Sequence, residues 1–138
     1  MLTPLLIASD HAGVALKAQL VARFGATDLG AHTEASVDYP DFADALCEKI
    51  IAGVAERGIL ICGSGIGMSI AANRHKGIRA ALCISCEMAA LARAHNDANV
   101  LVIGARLCSE EEVTAMLETF LHTPFEGGRH KRRVEKLG

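Results

Sequence analysis

The chain has 138 residues, of which 51% are hydrophobic and 22% are charged, and its formal net charge is −2. This length is typical of one domain with its own core, and the composition excludes an intrinsically disordered chain, so we predict a single domain over residues 1–138. Aromatic residues make up only 4%, which disfavours nucleic-acid binding by stacking, and the net charge gives no general attraction to DNA or membranes.

Short apolar runs alternate with segments of helical periodicity along the chain. The strands are predicted at residues 5–8, 26–29, 58–62, 78–83 and 99–103. The helices are predicted at residues 13–24, 40–54, 66–73 and 87–95, and a further one begins after Ser109. Nearly all-apolar strands that alternate with helices are typical of a parallel sheet covered on both faces. We therefore predict an α/β three-layer sandwich, doubly wound and Rossmann-like, with five parallel strands and a C-terminal helical tail.

No apolar run approaches the length of a membrane span, and residues 1–10 lack the basic leader of a signal peptide. We therefore expect a cytoplasmic protein. The chain has five cysteines, an odd number, and most of them should then be free thiols in a reducing compartment.

A glycine-rich segment, Cys62-Gly63-Ser64-Gly65-Ile66-Gly67-Met68-Ser69, follows the third predicted strand. Alternate glycines let a ligand approach the backbone, and a helix N-terminus offers unpaired N–H groups, so we predict an anion cradle. The segment is neither a dinucleotide fingerprint nor a P-loop, and a tight turn without a ligand is the alternative. Cys62 at its mouth is either a thiolate favoured by the helix N-terminus or a small buried hydrophobic residue.

Other polar residues follow or precede the strands. Asp10, after the first strand, either caps the next helix or belongs to a site with His11, a phosphate ligand or proton shuttle. Arg106 follows the fifth strand, but His95 precedes it. Parallel sheets bind ligands at the carboxyl ends of their strands. His95 therefore lies at the wrong edge for a site within one chain, unless a partner subunit supplies it, and capping its own helix is the alternative.

Two further segments have competing interpretations. Arg129 and Arg133 in the basic tail are four residues apart, so a helix would present both on one face as a phosphate clamp. A solvated tail or one that touches nucleic acid is the alternative. The Cys83–Cys86 spacing resembles a redox or half-zinc motif, but no second pair exists, and a strand end running into a helix fits it better.

Together these motifs resemble the ribose-5-phosphate isomerase B family, which also includes galactose-6-phosphate isomerase subunits. The resemblance spans nearly the whole chain, in order. The matching stretches are Ser-Asp-His-Ala-Gly at 9–13, Asp-Tyr-Pro-Asp at 38–41, the run at 58–73, His-Asn-Asp-Ala-Asn-Val at 95–100, Gly-Ala-Arg at 104–106, and Glu-Gly-Gly-Arg-His at 126–130 with Arg133.

The resemblance implies an aldose–ketose isomerase that acts on ribose 5-phosphate and ribulose 5-phosphate. It implies a homodimer or a dimer of dimers in which two subunits build each active site. Cys62 resembles the base that moves a proton between C1 and C2. Ser64, where many members have threonine, would assist at the substrate oxygens. Some members carry a glutamate in the cradle, and Met68 stands there in this chain.

The remaining roles follow from the same resemblance. Asp10 resembles the residue that holds sugar hydroxyls, and His95 resembles the ring-opening acid/base. The expected substrate-binding residues are Asn96 on the enediolate, Tyr39 from the same partner side as His95, the phosphate ligands His11, Arg106, Arg129 and Arg133, and the cradle glycines Gly63, Gly65 and Gly67.

This chemistry requires a base, donors to the developing oxyanion and a phosphate clamp that positions the substrate, so we expect no cofactor and no metal. A hexose 6-phosphate isomerase and a non-catalytic sugar-phosphate sensor remain as alternatives. A thiol redox protein and a nucleic-acid binder are weaker ones. The sequence does not decide whether the substrate is a pentose or a hexose phosphate, or whether the protein is a dimer or a tetramer.

Overall fold

The computed structural model describes residues 4–138, so residues 1–3 of the apolar N-terminal stretch lie outside the described residues. Within 4–138 the strands are β1 Leu5–Ser9, β2 Thr27–Asp28, β3 Arg57–Cys62, β4 Ala80–Leu82 and β5 Val100–Gly104. The helices are α1 Val14–Phe24, α2 Tyr39–Ile51, α3 Ile66–Ala72, α4 Cys86–Asn96, α5 Glu110–His122 and α6 Arg129–Glu135. A short 3₁₀ turn at His11–Gly13 precedes α1.

The five strands form one parallel sheet in the order β2-β1-β3-β5-β4. From β1 the chain moves outward to β2 and then returns to the other side of β1 for β3. This reversal of direction lies between β1 and β3, which is the point where open α/β sheets form a crevice for ligands. The predicted parallel α/β fold is confirmed.

Two hydrophobic layers cover the sheet because successive strand residues face opposite sides. Ile59 and Ile61 point into a layer formed with α1, α4 and α5. Leu60 and Cys62 point into the other layer, formed with α2 and α3. The three-layer arrangement is therefore confirmed, and it places the Cys62 side chain on the α2–α3 side.

Most predicted bounds are within two residues of those observed, and the differences at α2 and β4 have local causes. Helix α2 ends at Ile51, where the prediction continued to residue 54, because a turn follows in which the Gly53 N–H donates to the Ile50 carbonyl at 3.0 Å. Strand β4 is shorter than predicted because the Ile78 N–H bonds to His75 and the Arg79 N–H bonds to the Asn99 side chain. Helix α6 confirms the helical tail.

Among residues 4–138, no helix has the length and apolar character needed to cross a membrane.

Candidate active site

The strand register collects several predicted site residues at the carboxyl edge of the sheet. Ser9 pairs with Ile61. The next residues, Asp10 after β1 and Cys62 at the end of β3, therefore lie next to each other. The Arg106 N–H donates to the Gly63 carbonyl at 3.0 Å, which ties the end of β5 to the end of β3. We refer to the residues at this edge as the carboxyl-edge group: Asp10, His11, Tyr39, Cys62, Ser64 and Arg106.

The Cys62 thiol is held by the backbone of its own loop. Its Sγ accepts a hydrogen bond from the Gly65 N–H at 3.2 Å, and the residue is only 5% exposed. An N–H donor stabilises a thiolate more than a thiol. The next hydroxyl, Ser64 Oγ, accepts the Ile66 N–H at 3.2 Å, so its own proton remains available to a ligand. The sulphur and this hydroxyl together can move protons on neighbouring atoms of a substrate.

Side chains of the same chain pack against two cradle glycines. A methyl group on Gly63 would lie 3.2 Å from Nη1 of Arg106, and one on Gly67 would lie 2.5 Å from Cζ of Tyr39. Both side chains are predicted substrate ligands. Tyr39 thus contacts the cradle of its own chain, where we expected it to come from the partner side.

The middle glycine of the cradle satisfies a backbone requirement. Gly65 has φ +80°, and a methyl group there would lie 2.5 Å from Leu82 Cδ1 and 3.1 Å from the β5 backbone. The glycine spacing therefore reflects close packing at the end of the sheet. The N–H groups of Gly67 and Met68, in the first turn of α3, have no carbonyl partner within the helix, so they remain possible donors.

Asp10 and His11 are oriented by local hydrogen bonds. Asp10 Oδ1 accepts the Ala12 N–H at 2.9 Å and caps the 3₁₀ turn that leads into α1, whereas α1 itself begins after Gly13 without a side-chain cap. Its second carboxylate oxygen has no partner among the described residues. His11 Nδ1 accepts the Val37 N–H at 3.2 Å. The neutral ring therefore carries its proton on Nε2 and can donate to an anion.

The other predicted residues lie at the opposite edge. We refer to His95, Asn96, Arg129 and Arg133 as the amino-edge group. His95 and Asn96 end α4, which runs back from the carboxyl edge to the start of β5. Strand β5 alone spans about 13 Å at a rise of about 3.3 Å per residue. The amino-edge group therefore lies far from Cys62 within one chain. For His95, this separation was predicted from the sequence.

Two residues next to His95 were missed as site residues by sequence reasoning. The His95 and His130 rings stack with centroids 4.2 Å apart, and Nε2 of each lies 3.7 and 3.8 Å, respectively, from Glu126 Oε1. Partial burial of the ring and the positive charges of His95 and Arg129 lower the pKa of His130. The four-residue spacing of Glu126 and His130 is visible in the sequence. Their contact with His95 arises only from the packing of α6 on α4.

The structure gives no second site at the Cys83–Cys86 pair or at two further histidines. All five cysteines are free thiols, where the sequence predicted this for most of them. Cys83 is 1% exposed, and burial raises its pKa to about 11, whereas Cys86 is exposed. Cys83 is therefore not the accessible, activated thiol that a redox motif needs. His75 bonds Asp44 at 2.7 Å, and His122 contacts the Glu118 carbonyl within its helix at 2.8 Å.

The chain is similar to known proteins over nearly its whole length. The family model described as Ribose/Galactose Isomerase matches residues 5–137. A putative sugar phosphate isomerase of Rickettsia bellii is 47% identical, covering 96% of each chain. Ribose-5-phosphate isomerase B of Escherichia coli is 40% identical, covering 93% of this chain and 89% of its own. The crystal structure of a ribose 5-phosphate isomerase from Thermotoga maritima has a TM-score of 0.92 and 50% identity, covering 98% of this chain and 97% of that one.

Proposed function

Because the chain belongs to the ribose/galactose isomerase family, it is an aldose–ketose isomerase, and we propose that it interconverts ribose 5-phosphate and ribulose 5-phosphate. The observation that carries this proposal is the Cys62 thiol against the Gly65 N–H, 3.2 Å away, at the point where strand order reverses. Asp10 directly follows neighbouring strand β1, and Arg106 lies two residues after the end of neighbouring strand β5. This arrangement offers a base, a hydroxyl ligand and an anion ligand in one crevice.

The reaction moves two protons and no other atoms. In the open-chain aldose, the Cys62 thiolate removes the proton from C2, and the electron pair forms the C1–C2 double bond of an enediolate. The thiol then returns the proton to C1, while a second proton passes from O2 to O1 with the help of the Ser64 hydroxyl. The N–H groups at the start of α3 stabilise the negative charge that develops on the oxygens.

The sugar phosphate must also be opened and oriented. His95 protonates the ring oxygen and accepts the proton of the anomeric hydroxyl, and Asn96 contacts the enediolate. Asp10 holds sugar hydroxyls with the carboxylate oxygen that its cap leaves free. The Nε2 proton of His11 and the guanidinium groups of Arg106, Arg129 and Arg133 bind the phosphate. This binding positions C1 and C2 against the sulphur without taking part in proton transfer.

We further propose that the active protein is a homodimer whose two subunits build each site. The amino-edge group lies at the far edge from Cys62 in its own chain, so a second copy must supply it. Apolar side chains are exposed on α3 and α4, the helices before and after edge strand β4: Ile66 and Ile70 are each 54% exposed, and Met88 and Leu91 are 41% and 44% exposed. Such surface is commonly covered in oligomers.

The test is turnover of ribose 5-phosphate, followed as ketose formation, in the parent, Cys62→Ser and Cys86→Ser. Cys86 is exposed, so it controls for general effects of thiol replacement. We expect turnover in the parent and in Cys86→Ser and its near-total loss in Cys62→Ser. Turnover that survives in Cys62→Ser would remove Cys62 as the base. Absence of turnover in all three would reject ribose 5-phosphate as the substrate.

A hexose 6-phosphate is the second candidate substrate, because the matching family is described by both ribose and galactose. The two substrates differ in chain length between the reacting carbons and the phosphate. The same assay with galactose 6-phosphate and allose 6-phosphate separates them by their kcat/KM ratios. A sensor without catalysis would bind one of these ligands and turn over none.

A further inference from the structure

Three side chains of metal-ligand type meet beside the last turn of α4. His95 Nε2 and His130 Nε2 lie 3.7 and 3.8 Å, respectively, from the same Glu126 oxygen, Oε1. All three ligand atoms lie within 4.8 Å of one another. Two imidazoles and one carboxylate, with water in a fourth position, form a ligand set that Zn²⁺ takes in proteins.

We propose that His95, Glu126 and His130 bind one divalent transition-metal ion, with Zn²⁺ as the best match, and that this ion inhibits the isomerase. The inhibition rests on the proposed function, because the ion takes the Nε2 lone pair that His95 needs for ring opening. From the sequence we expected no metal, because the proton transfers do not require one. An ion that opposes turnover is compatible with that expectation.

The distances are close to those of a loaded site. Ligand atoms around a tetrahedral Zn²⁺ are about 3.4 Å apart, given Zn–N and Zn–O bonds of about 2.1 Å. The two nitrogen–oxygen distances here exceed this by a few tenths of an ångström. The side chains of His95 and Glu126 are 39% and 58% exposed, so both can adjust, whereas that of His130 is 12% exposed and is the fixed member. The stacked rings must tilt so that both lone pairs point to one centre.

The backbone holds the three residues together. The Glu126 N–H donates to the Ala94 carbonyl at 3.0 Å, next to His95 in α4. The His130 N–H donates to the Gly127 carbonyl at 3.0 Å. Only side-chain rotation is therefore needed to close around an ion, and the residues need not be brought together from a distance.

Nearby charges limit the affinity. Arg129 and Arg133 lie on the same short helix as His130, and their positive charge opposes a cation. Glu126 supplies the one negative charge among the three ligands. We therefore expect binding weaker than in a closed structural zinc site, and reversal by a chelator such as EDTA. A site of this kind lets free zinc switch the enzyme off and on.

The experiment measures binding separately from activity, on the purified full-length protein. Zn²⁺ is titrated by calorimetry, and Co²⁺ serves as an absorbing probe of the ligand type. We expect one ion per chain and a Co²⁺ spectrum without a thiolate band. In Glu126→Gln and His130→Asn the affinity for Zn²⁺ should fall at least about 100-fold. Loss of a residue that only supports a ligand already costs up to about 100-fold, so loss of a ligand should cost at least as much. Glu135→Gln, elsewhere on α6, should bind as the parent does.

Activity is then measured with and without Zn²⁺. The parent should lose turnover with a few equivalents of Zn²⁺ and regain it with EDTA, while Glu126→Gln keeps its own zinc-free rate. Unchanged affinity in Glu126→Gln and His130→Asn, or a thiolate band that Cys62→Ser abolishes, would overturn the proposal. Residue-specific binding in a chain that does not isomerise ribose 5-phosphate would reject the proposed function and retain the metal site. Turnover of ribose 5-phosphate without any binding of Zn²⁺ would reject the metal site and retain the proposed function.

Discussion

The carboxyl-edge and amino-edge groups differ in how firmly the fold holds them. At the carboxyl edge, Cys62 accepts the Gly65 N–H, His11 accepts the Val37 N–H, and Arg106 packs on the loop. At the amino edge, the His95 side chain is 39% exposed, and Arg129 and Arg133 are exposed side chains of a short helix. The chain thus fixes the residues assigned to proton transfer and presents those assigned to ring opening and part of the phosphate clamp on its surface. This is the arrangement that a site shared between subunits requires.

The same contrast separates two cysteines of one core layer. Cys47 is fully buried, and burial, reinforced by Asp44 and Glu48, raises its pKa to about 12. Its sulphur donates to the Ala72 carbonyl at 4.0 Å. The Cys62 sulphur instead accepts an N–H. Position at the strand end, and not residue type or burial, therefore distinguishes the proposed base from a structural thiol.

The largest expected effect comes from mixing defects at the two edges. Cys62→Ala and His95→Ala should each abolish turnover when expressed alone. Co-expressed, they form mixed dimers in which one of the two shared sites is intact. We expect recovery of about a quarter of the parent activity, because half of the dimers are mixed and each has one good site in two. Steady-state turnover of the co-purified mixture measures this recovery.

A matched control gives the opposite result. The double variant Cys62→Ala/His95→Ala, co-expressed with the parent chain, should produce mixed dimers with no intact site. If each chain instead completed its own site, these mixed dimers would keep half of their activity, and the first mixture would stay inactive. Either of those results would contradict the shared site.

The second effect tests the packing at the carboxyl edge. Gly67→Ala places a methyl group 2.5 Å from the Tyr39 ring, so the ring must move. A displacement of about 1 Å in an active site can reduce the rate about 100-fold, and we expect a loss of kcat/KM of that size. Tyr39→Ala/Gly67→Ala should be no worse than Tyr39→Ala alone, because the clash is then absent. A double variant far worse than Tyr39→Ala would show that Gly67 acts without Tyr39.

These residues show what the sequence could predict. Alternating apolar runs and helical segments predicted the layered parallel sheet, because local pattern and burial agree along this chain. The position of Cys62 followed from the strand that precedes it. The strand order was not predictable from local pattern, since it depends on which crossovers pack best.

The contacts within the site were predictable only in part. The glycine spacing indicated a close approach to the backbone. It did not reveal that Arg106 and Tyr39 make this approach, because both come from distant segments. The grouping of Glu126 and His130 with His95 was missed for the same reason. Helix α6 reaches α4 through tertiary packing that leaves no periodic signal.

The third effect compares one arginine from each edge. Arg106 has its guanidinium placed over Gly63, whereas Arg129 is exposed. Lysine keeps the charge but loses the planar fork that binds phosphate through two hydrogen bonds. We expect Arg106→Lys to raise the KM for ribose 5-phosphate about tenfold, equivalent to about 1.4 kcal/mol of binding, with kcat little changed. Arg129→Lys should have a smaller effect. A larger effect for Arg129→Lys would reverse the ranking of the two edges.

The smallest effect concerns a buried ion pair that supports only the carboxyl edge. Lys17, 2% exposed, donates to both carboxylate oxygens of Asp28 at 2.7 Å. The Gly30 N–H donates to Asp28 at 2.8 Å, and the Gly30 carbonyl accepts the Ser9 N–H at 2.7 Å. Burial would raise the pKa of Asp28, but the bonds from Lys17 and Gly30 outweigh it and bring the pKa below its ordinary value of 3.8.

This shift sets a direction for stability against pH. The unfolded chain binds the Asp28 proton more readily than the folded chain. The contribution is therefore complete above the ordinary pKa and is lost as pH falls below 3.8 toward the folded value. Lys17→Met keeps the length and removes the charge, so its free energy of unfolding should fall less steeply with pH below about 4 than that of the parent. Urea denaturation at several pH values measures this slope.

The control is Arg23→Met, which removes the exposed ion pair with Glu118. It should leave the slope unchanged because such pairs contribute little to stability. Equal slopes for Lys17→Met and the parent would mean that Lys17 does not set the proton affinity of Asp28.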